Sequence, residues 1–506
     1  MHFRKVIAVA AAVLLGLPAL AQYMEAVPQQ EEGKVVLTLE DALKIALSEN
    51  TSVKVADMEI ERQEYARKGS YASLLPQVSA SGMYSYALKK QKVYFGSDKT
   101  DDEGGSSSGG MAGMLASMMN PIMYYIEQLY AGTGVPFVPY VDPNASQEGG
   151  TSSSSEPMEM GRSHSVTLGL SAQMPLVNFQ LWESLRLSGD QVEMAVEQAR
   201  ESRLGTVASV KQAFYAILFA KEAYNVYNSV YENAVENFRL TEMRYNAAKA
   251  SELDYTRAKS NVAAAIPNLY NAENSVELAL WQLKAVMGVD LEKNIDIAGT
   301  LEEYAGQMFS DIAEGSEASL DGNTTLRQLA QQAEMLARQI RMQQYAYLPT
   351  LALTFSYSYL TQSDIFNLSQ WKWFPSSTVG VSLSIPIFSG GQRYHAVKQA
   401  RVQADELELQ RENTERQLRI GIRQSLGTMD TAMRTYDASR EALESAQKAY
   451  DIAVKSYQLG KSTLTDLNNT ELVLTQSKLA VSQAIYNFVI AKAGLEQTLG
   501  YDFNEQ

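Results

Sequence analysis

Few side chains in this sequence are equipped for covalent chemistry. The 506 residues contain no Cys, which removes thiol nucleophiles, disulfides and thiolate metal sites. The three histidines, His2, His164 and His395, stand singly, and neither a G-x-S-x-G elbow nor a phosphate-binding glycine loop is present. An enzyme is therefore the poorest of the functional readings. What does recur is a Tyr–Asp pair at one spacing: Tyr245 with Asp254, and Tyr457 with Asp466. Asp466 follows Ser462, a candidate helix N-cap, so its carboxylate falls in a first helical turn, where the dipole favours negative charge.

The elements that must position these pairs are long helical hairpins. From Gln392, the residues Ile422, Leu426, Met429, Met433, Tyr436, Leu443, Ala446, Tyr450, Ala453 and Tyr457 keep heptad register. The returning segment places Leu467, Leu474, Val481, Phe488 and Leu495 at strict sevens, with the small residues Thr470, Ser477, Ala484 and Ala491 each three residues after one of the first four. Large residues beside small ones along one seam specify antiparallel coiled-coil packing. Gly460 ends the first helix at the turn.

The same unit occurs twice. Tyr245, Asp254 and Gly288 repeat as Tyr457, Asp466 and Gly500 with an offset of 212, and Asn50 to Pro76 repeats as Asn323 to Pro349. The offset is 273 between the first prolines but 211 between Pro175 and Pro386, so the first copy carries about 62 extra residues in a loop. The expected organisation is a leader over 1–21, a mobile lead-in over 22–37, a first repeat over 38–288, a linker over 289–322 and a second repeat over 323–506. The helical hairpins occupy 179–288 and 392–500. Each long helix of some 68 residues would measure about 100 Å at 1.5 Å per residue.

His2–Lys5 is a basic start, Val6–Leu17 an apolar run and Ala19–Ala21 an A-x-A site before Gln22, the pattern of a cleaved secretory leader. The apolar run is short for a membrane-spanning helix. The net charge of −15 argues against nucleic-acid binding. Thr38 is expected to cap a helix carrying Glu40 and Asp41, with Leu39, Leu43, Ala46 and Leu47 as its apolar stripe. After Pro76 the period changes from helical to two. Strands are expected over about 77–88, 165–176, 350–360 and 378–388, each greasy on one face and small and polar on the other. That pattern suits an outer-membrane barrel wall, although a soluble sandwich alternates in the same way. Four strands cannot enclose a pore, and about twelve are needed for an open lumen, so several chains must share one barrel, three at the least.

The junctions Leu75-Pro76-Gln77 and Leu348-Pro349-Thr350, the strand ends Met174-Pro175-Leu176 and Ile385-Pro386-Ile387-Phe388-Ser389-Gly390-Gly391, and the turn built from Tyr457, Gly460 and Asp466 resemble the TolC family of outer-membrane efflux proteins over residues 36–500. The resemblance implies a mainly α fold with transmembrane β structure: a homotrimer with a twelve-stranded β-barrel, four strands per chain, continuous with a twelve-helix periplasmic α-barrel. It implies a passive exit duct in the outer membrane of a Gram-negative bacterium, serving an inner-membrane RND or ABC pump through a periplasmic adaptor protein, with drugs, toxic compounds or polypeptides as cargo. It needs no cofactor. The alternative is a periplasmic coiled-coil adaptor or scaffold, which leaves the paired strands unexplained.

By the same resemblance, acidic rings narrow the periplasmic tip. Asp466 matches the first acidic position, where copies around an axis would concentrate negative potential, and Asn469 replaces the second. Tyr457 and Asp254 match members of a Tyr–Arg–Asp lock whose Arg position is Ser462 here, with Lys461 its possible substitute. Ala248, Lys249, Gly460 and Lys461 fall where adaptor hairpins dock.

Three features lie outside the resemblance. The 89–163 loop contains Met111, Met114, Met118, Met119 and Met123. These are either thioether ligands suited to Cu(I) or an apolar loop helix over the barrel mouth. Pro267 interrupts a heptad run and should bend or bulge its helix. Trp371 and Trp373 are interfacial anchors or loop packing.

Overall fold

A computed structural model of the chain describes residues 35–93, 158–308 and 319–501. The expected leader, most of the lead-in and the methionine cluster lie outside the described residues. The order of elements is β1 (Val35–Leu37), α1 (Leu39–Glu49), α2 (Thr51–Ala72), β2 (Gln77–Tyr86), β3 (Gln91–Val93), β4 (Met158–Met160), β5 (His164–Val177), α3 (Phe179–Asn246), α4 (Glu252–Met287), β6 (Ile295–Ile297), α5 (Thr324–Tyr345), β7 (Thr350–Ser363), β8 (Phe374–Ser384), α6 (Gln392–Gln458) and α7 (Leu464–Leu499). The duplication reappears in element length: 22 residues for both α2 and α5, 68 and 67 for α3 and α6, and 36 for both α4 and α7. Two compact units share this chain, one built from residues up to 65, 189–336 and from 402, the other from 66–188 and 337–401.

The first unit is helical. Thr38 caps α1 through a reciprocal box with Asp41, and Ala42, Leu43 and Ala46 are buried on the expected stripe. The heptad seams also pack as their spacing predicts, with Met429, Tyr436, Ala446, Ala453 and Tyr457 buried on α6 and Leu467, Leu474, Ala484, Phe488 and Leu495 on α7. On α4 the buried stripe is Ala258, Ala265, Ala272 and Ala279, spaced by sevens. Small side chains at that interval let a neighbouring helix approach closely. Helix α4 runs unbroken through Pro267.

Each repeat is closed at its base by the same device. The Asn50 amide donates to the Val286 carbonyl at 2.6 Å, and its counterpart Asn323 donates to Thr498 at 2.7 Å. Gly288 and Gly500 end α4 and α7 in the left-handed region, at φ +72° and +76°. A methyl at Gly288 would lie 2.6 Å from the Glu49 carbonyl oxygen, and one at Gly500 would overlap the Gly322 carbonyl oxygen. Only glycine meets both demands.

The end of the lead-in, expected to be mobile, is structured by the linker. Val35–Leu37, placed in the lead-in, pairs in parallel with Ile295–Ile297, placed in the linker. Ile295, Ile297, Leu301, Ala305 and Met308 all enter the main core. Burial of these apolar side chains, hidden in a stretch whose acidic and glycine content dominates its composition, decides the outcome.

The second unit holds an antiparallel sheet in the order β2-β5-β7-β8. Its register brings like faces together across all four strands. Val78, Ala172, Phe355 and Val379 form one row, and Ser79, Ser171, Ser356 and Thr378 form the row beside it on the opposite face. Ser79 bonds Ser171 and Ser358 bonds Ser376, both at 2.8 Å, along the polar side. β8 lies four residues earlier than expected, at 374–384 rather than 378–388, because Pro386 has no N–H for a ladder and ends the strand before it. The second loop is correspondingly shorter than 361–377. Strand β2 stops at Tyr86 rather than 88, and the base of the long first loop is itself a ribbon, β3 paired with β4. Tyr84, Tyr86, His164 and Phe366 cluster at one end of the sheet, with the Tyr84 hydroxyl 2.9 Å from His164 Nδ1. Trp371 donates to the Ile365 carbonyl and packs edge-on against Phe366, whereas Trp373 packs edge-on against Tyr359.

Candidate functional site at the hairpin turns

The turn from α6 to α7 begins where the backbone runs out of helical partners. The Gly460 amide bonds the Tyr457 carbonyl at 3.0 Å and the Lys461 amide bonds Ser456 at 2.8 Å, with Gly460 at φ +73°. This closure brings Thr463, not Ser462, to the extended N-cap position. The Thr463 hydroxyl accepts from the Asp466 amide at 3.1 Å, while the Asp466 carboxylate accepts from the Thr463 hydroxyl at 2.7 Å and from its amide at 3.1 Å. The T-x-x-D spacing at 463–466 was the available signal, and it corrects Ser462 as the cap. The Ser462 hydroxyl oxygen is shielded from solvent.

The turn from α3 to α4 repeats this geometry with other residues. Lys249 bonds back to Arg244 at 2.7 Å, and Ala248 takes the left-handed conformation that Gly460 takes in the second copy, at φ +54°. Ser251 caps α4: its hydroxyl accepts from the Asp254 amide at 3.1 Å and donates to the Asp254 carboxylate at 2.7 Å. Asp254 and Asp466 thus hold matching third positions in their helices.

The tyrosines differ. Tyr245 is exposed and stacks on Tyr255 at 5.0 Å. Tyr457 is buried, with its hydroxyl 2.6 Å from Thr241 Oγ1. Thr241 spends its only proton on the Asn237 carbonyl at 2.7 Å, so Tyr457 is the donor to Thr241. The Arg244 guanidinium lies over the Tyr457 ring at 4.9 Å and donates to the carbonyls of Tyr457 and Gln458 at 3.0 and 2.7 Å. A cation from the first hairpin therefore satisfies the carbonyl end of α6. Thr241 and Arg244 were not foreseen. Residue 456, the counterpart of Arg244, is Ser, and that break in the duplication was the one sign of it.

Of the residues singled out in the sequence, Tyr457 is bound to Thr241 and Arg244, whereas Asp254 is bound to its own cap. Asp466, Asn469, Lys249, Gly460 and Lys461 are exposed. The hydrogen bonds from Thr463, side chain first and backbone second, hold the Asp466 carboxyl below the usual Asp range, so it is charged at neutral pH.

The outer membrane efflux protein model matches residues 128–289 and 316–501. The chain belongs to the outer membrane efflux protein family. It is 23% identical over 358 residues to the outer membrane protein TolC of Escherichia coli (strain K12), a match covering 68% of this chain and 71% of that one. It is 24% identical over 235 residues to the alkaline protease secretion protein AprF of Pseudomonas aeruginosa, covering 46% of this chain and 48% of AprF. The Campylobacter jejuni CmeC outer membrane channel shares the fold, with a TM-score of 0.62, 17% identity, and coverage of 96% of this chain and 93% of that one. Membership in the family makes this an outer-membrane channel protein rather than an enzyme. No described helix is long and apolar enough to cross a membrane.

Proposed function

We propose that three copies of this chain close one twelve-stranded barrel and form a passive exit duct for an inner-membrane pump. One observation carries the reading: the four-stranded sheet pairs β2 and β8 on one side only, and it exposes a continuous apolar face. Val78, Val379, Val381 and Leu383 on that face are 60–70% exposed. Unpaired strand edges inside lipid cost several kcal/mol per unsatisfied backbone group, and closure by neighbouring copies removes that cost. The opposite face, rich in Ser, Thr and Gly, suits a wet lumen.

In this reading the hairpin turns are the periplasmic gate. Asp466 supplies a ring of negative charge, Asn469 keeps the next position neutral, and Tyr457 holds its hairpin against Arg244 and Thr241. Asp254 marks the equivalent place on the first hairpin. The exposed turn residues Ala248, Lys249, Gly460 and Lys461 receive a periplasmic adaptor, which couples the duct to an RND or ABC pump for efflux of small molecules or type I secretion of polypeptides. The test is heat modifiability in outer-membrane fractions: an unboiled sample should run near three times the chain mass and collapse on boiling. A monomer band in both lanes would refute the duct. Crosslinkers placed at Lys249 and Lys461 should capture an adaptor, and their failure in cells with an active pump would refute the docking role.

A further inference from the structure

Glu471 occupies an unusual position on α7. It sits on the helix face that also carries Leu467 and Leu474, and it is only 8% exposed. The Asn233 side chain on α3 hydrogen-bonds its carboxyl, yet Oε1 has no partner. Burial pushes this carboxyl up. Tyr450 on α6 faces it, and that phenol is pushed up to about 12, first by burial and then by the charge of Glu471. A carboxylate buried in this way requires a compensating proton or cation.

Glu471 also lines a cavity of about 240 Å³ between α3, α4 and α7. Asn237, Asn261, Asn268 and Asn468 contribute carboxamides to its lining, and Ala258 and Ala265 contribute methyl groups. None of the lining residues is Lys, Arg or His. A proton alone needs no cavity, whereas this one holds the volume of several waters. Glu471 is the one carboxylate among the lining residues, and no described group of three His, Asp or Glu side chains converges there. Carboxamides able to accept N–H bonds, alanine methyls able to cover an alkyl chain and one unpaired carboxylate oxygen match a ligand with a cationic N–H head and a short apolar tail.

We propose that the cavity between α3, α4 and α7 binds a small organic ammonium ion, with Glu471 as its counter-ion. In the other repeat the residue at the matching place on α4 is Lys259, which is exposed. The site is separate from the turn carboxylates, because Asp466 is not among its lining residues.

The test uses the full chain in detergent, titrated with n-butylammonium chloride and, as a neutral control, butan-1-ol, by calorimetry at neutral pH. The wild type should bind n-butylammonium saturably and butan-1-ol at least tenfold more weakly. Glu471→Gln should weaken n-butylammonium binding at least tenfold, Asp466→Asn should leave it within twofold, and acidification should abolish it as Glu471 takes up a proton. No saturable binding to the wild type, equal binding to Glu471→Gln, or loss in Asp466→Asn alone would each overturn the assignment. Oligomeric state is read on the same samples by light scattering, so a failed duct assembly is distinguished from a missing ligand site.

Discussion

The two repeats agree at their bases and part company at their turns. At the base, Asn50 with Gly288 and Asn323 with Gly500 make the same amide-to-carbonyl bond beside the same left-handed glycine. At the turn, the caps and carboxylates still correspond, but Tyr457 is buried under Arg244 while Tyr245 lies exposed on Tyr255. Backbone closure is a demand both copies share, so divergence cannot touch it without unfolding a hairpin. The buried tyrosine is found at the second copy's turn, and two residues of the first copy, Thr241 and Arg244, hold it there.

The sharpest way to break the comparison is at the base. Gly500→Ala drives a methyl into the Gly322 carbonyl oxygen and adds the cost of a left-handed alanine. A loss of about 3 kcal/mol or more is expected, since the left-handed penalty alone is roughly 1–2 kcal/mol. Gly288→Ala should cost less, because its methyl stands 2.6 Å from the Glu49 oxygen. Denaturation midpoints of the two variants measure the difference, and equal, small shifts would show that the glycines are not needed.

At the turns, Arg244→Ala should destabilise by about 1–2 kcal/mol through two lost charge-assisted bonds. Tyr457→Phe should cost about 1 kcal/mol and Tyr245→Phe less than about 0.5 kcal/mol. If the second turn is the gate, Arg244→Ala and Tyr457→Phe also raise single-channel conductance in planar bilayers, while Tyr245→Phe leaves it unchanged. Equal effects of the two tyrosine substitutions would erase the asymmetry between the copies.

A swap at the left-handed positions is the next smaller effect. Ala248→Gly should stabilise the first turn by about 1 kcal/mol and Gly460→Ala should weaken the second by a similar amount. Opposite signs in thermal denaturation would confirm that the two turns share one backbone plan.

The smallest effect concerns Asp466. Its folded pKa lies below that of an ordinary aspartate, so the cap contributes fully above the ordinary value and is lost as the pH falls through the lower folded one. Cation selectivity of the channel should therefore persist at pH 5 and fade only in stronger acid, and Asp466→Asn should reduce it at neutral pH. An unchanged single-channel record for that variant would remove Asp466 from the gate.

Much of this was legible beforehand because it is periodic. Heptads at 422–457 and 467–495 fixed the helical seams, and the period-two runs gave the faces of the sheet, since both signals integrate over many residues. Boundaries depended on single groups: Pro386 ended β8, and Thr463 rather than Ser462 capped α7. Contacts between hairpins left almost no trace. Arg244 reads as an ordinary basic residue in a last helical turn until Tyr457, 213 positions later, is found under it. Glu471 reads as a surface carboxylate for the same reason.

The four-stranded sheet leaves β2 and β8 as edges, and the proposed duct needs further copies of the chain to pair them. Native mass spectrometry of the detergent-extracted protein tests it most directly. A dominant species of three chains, about 168 kDa from a chain of 55.9 kDa before any leader is removed, is the predicted result. A single chain that stays dispersed in water after the detergent is withdrawn would contradict it.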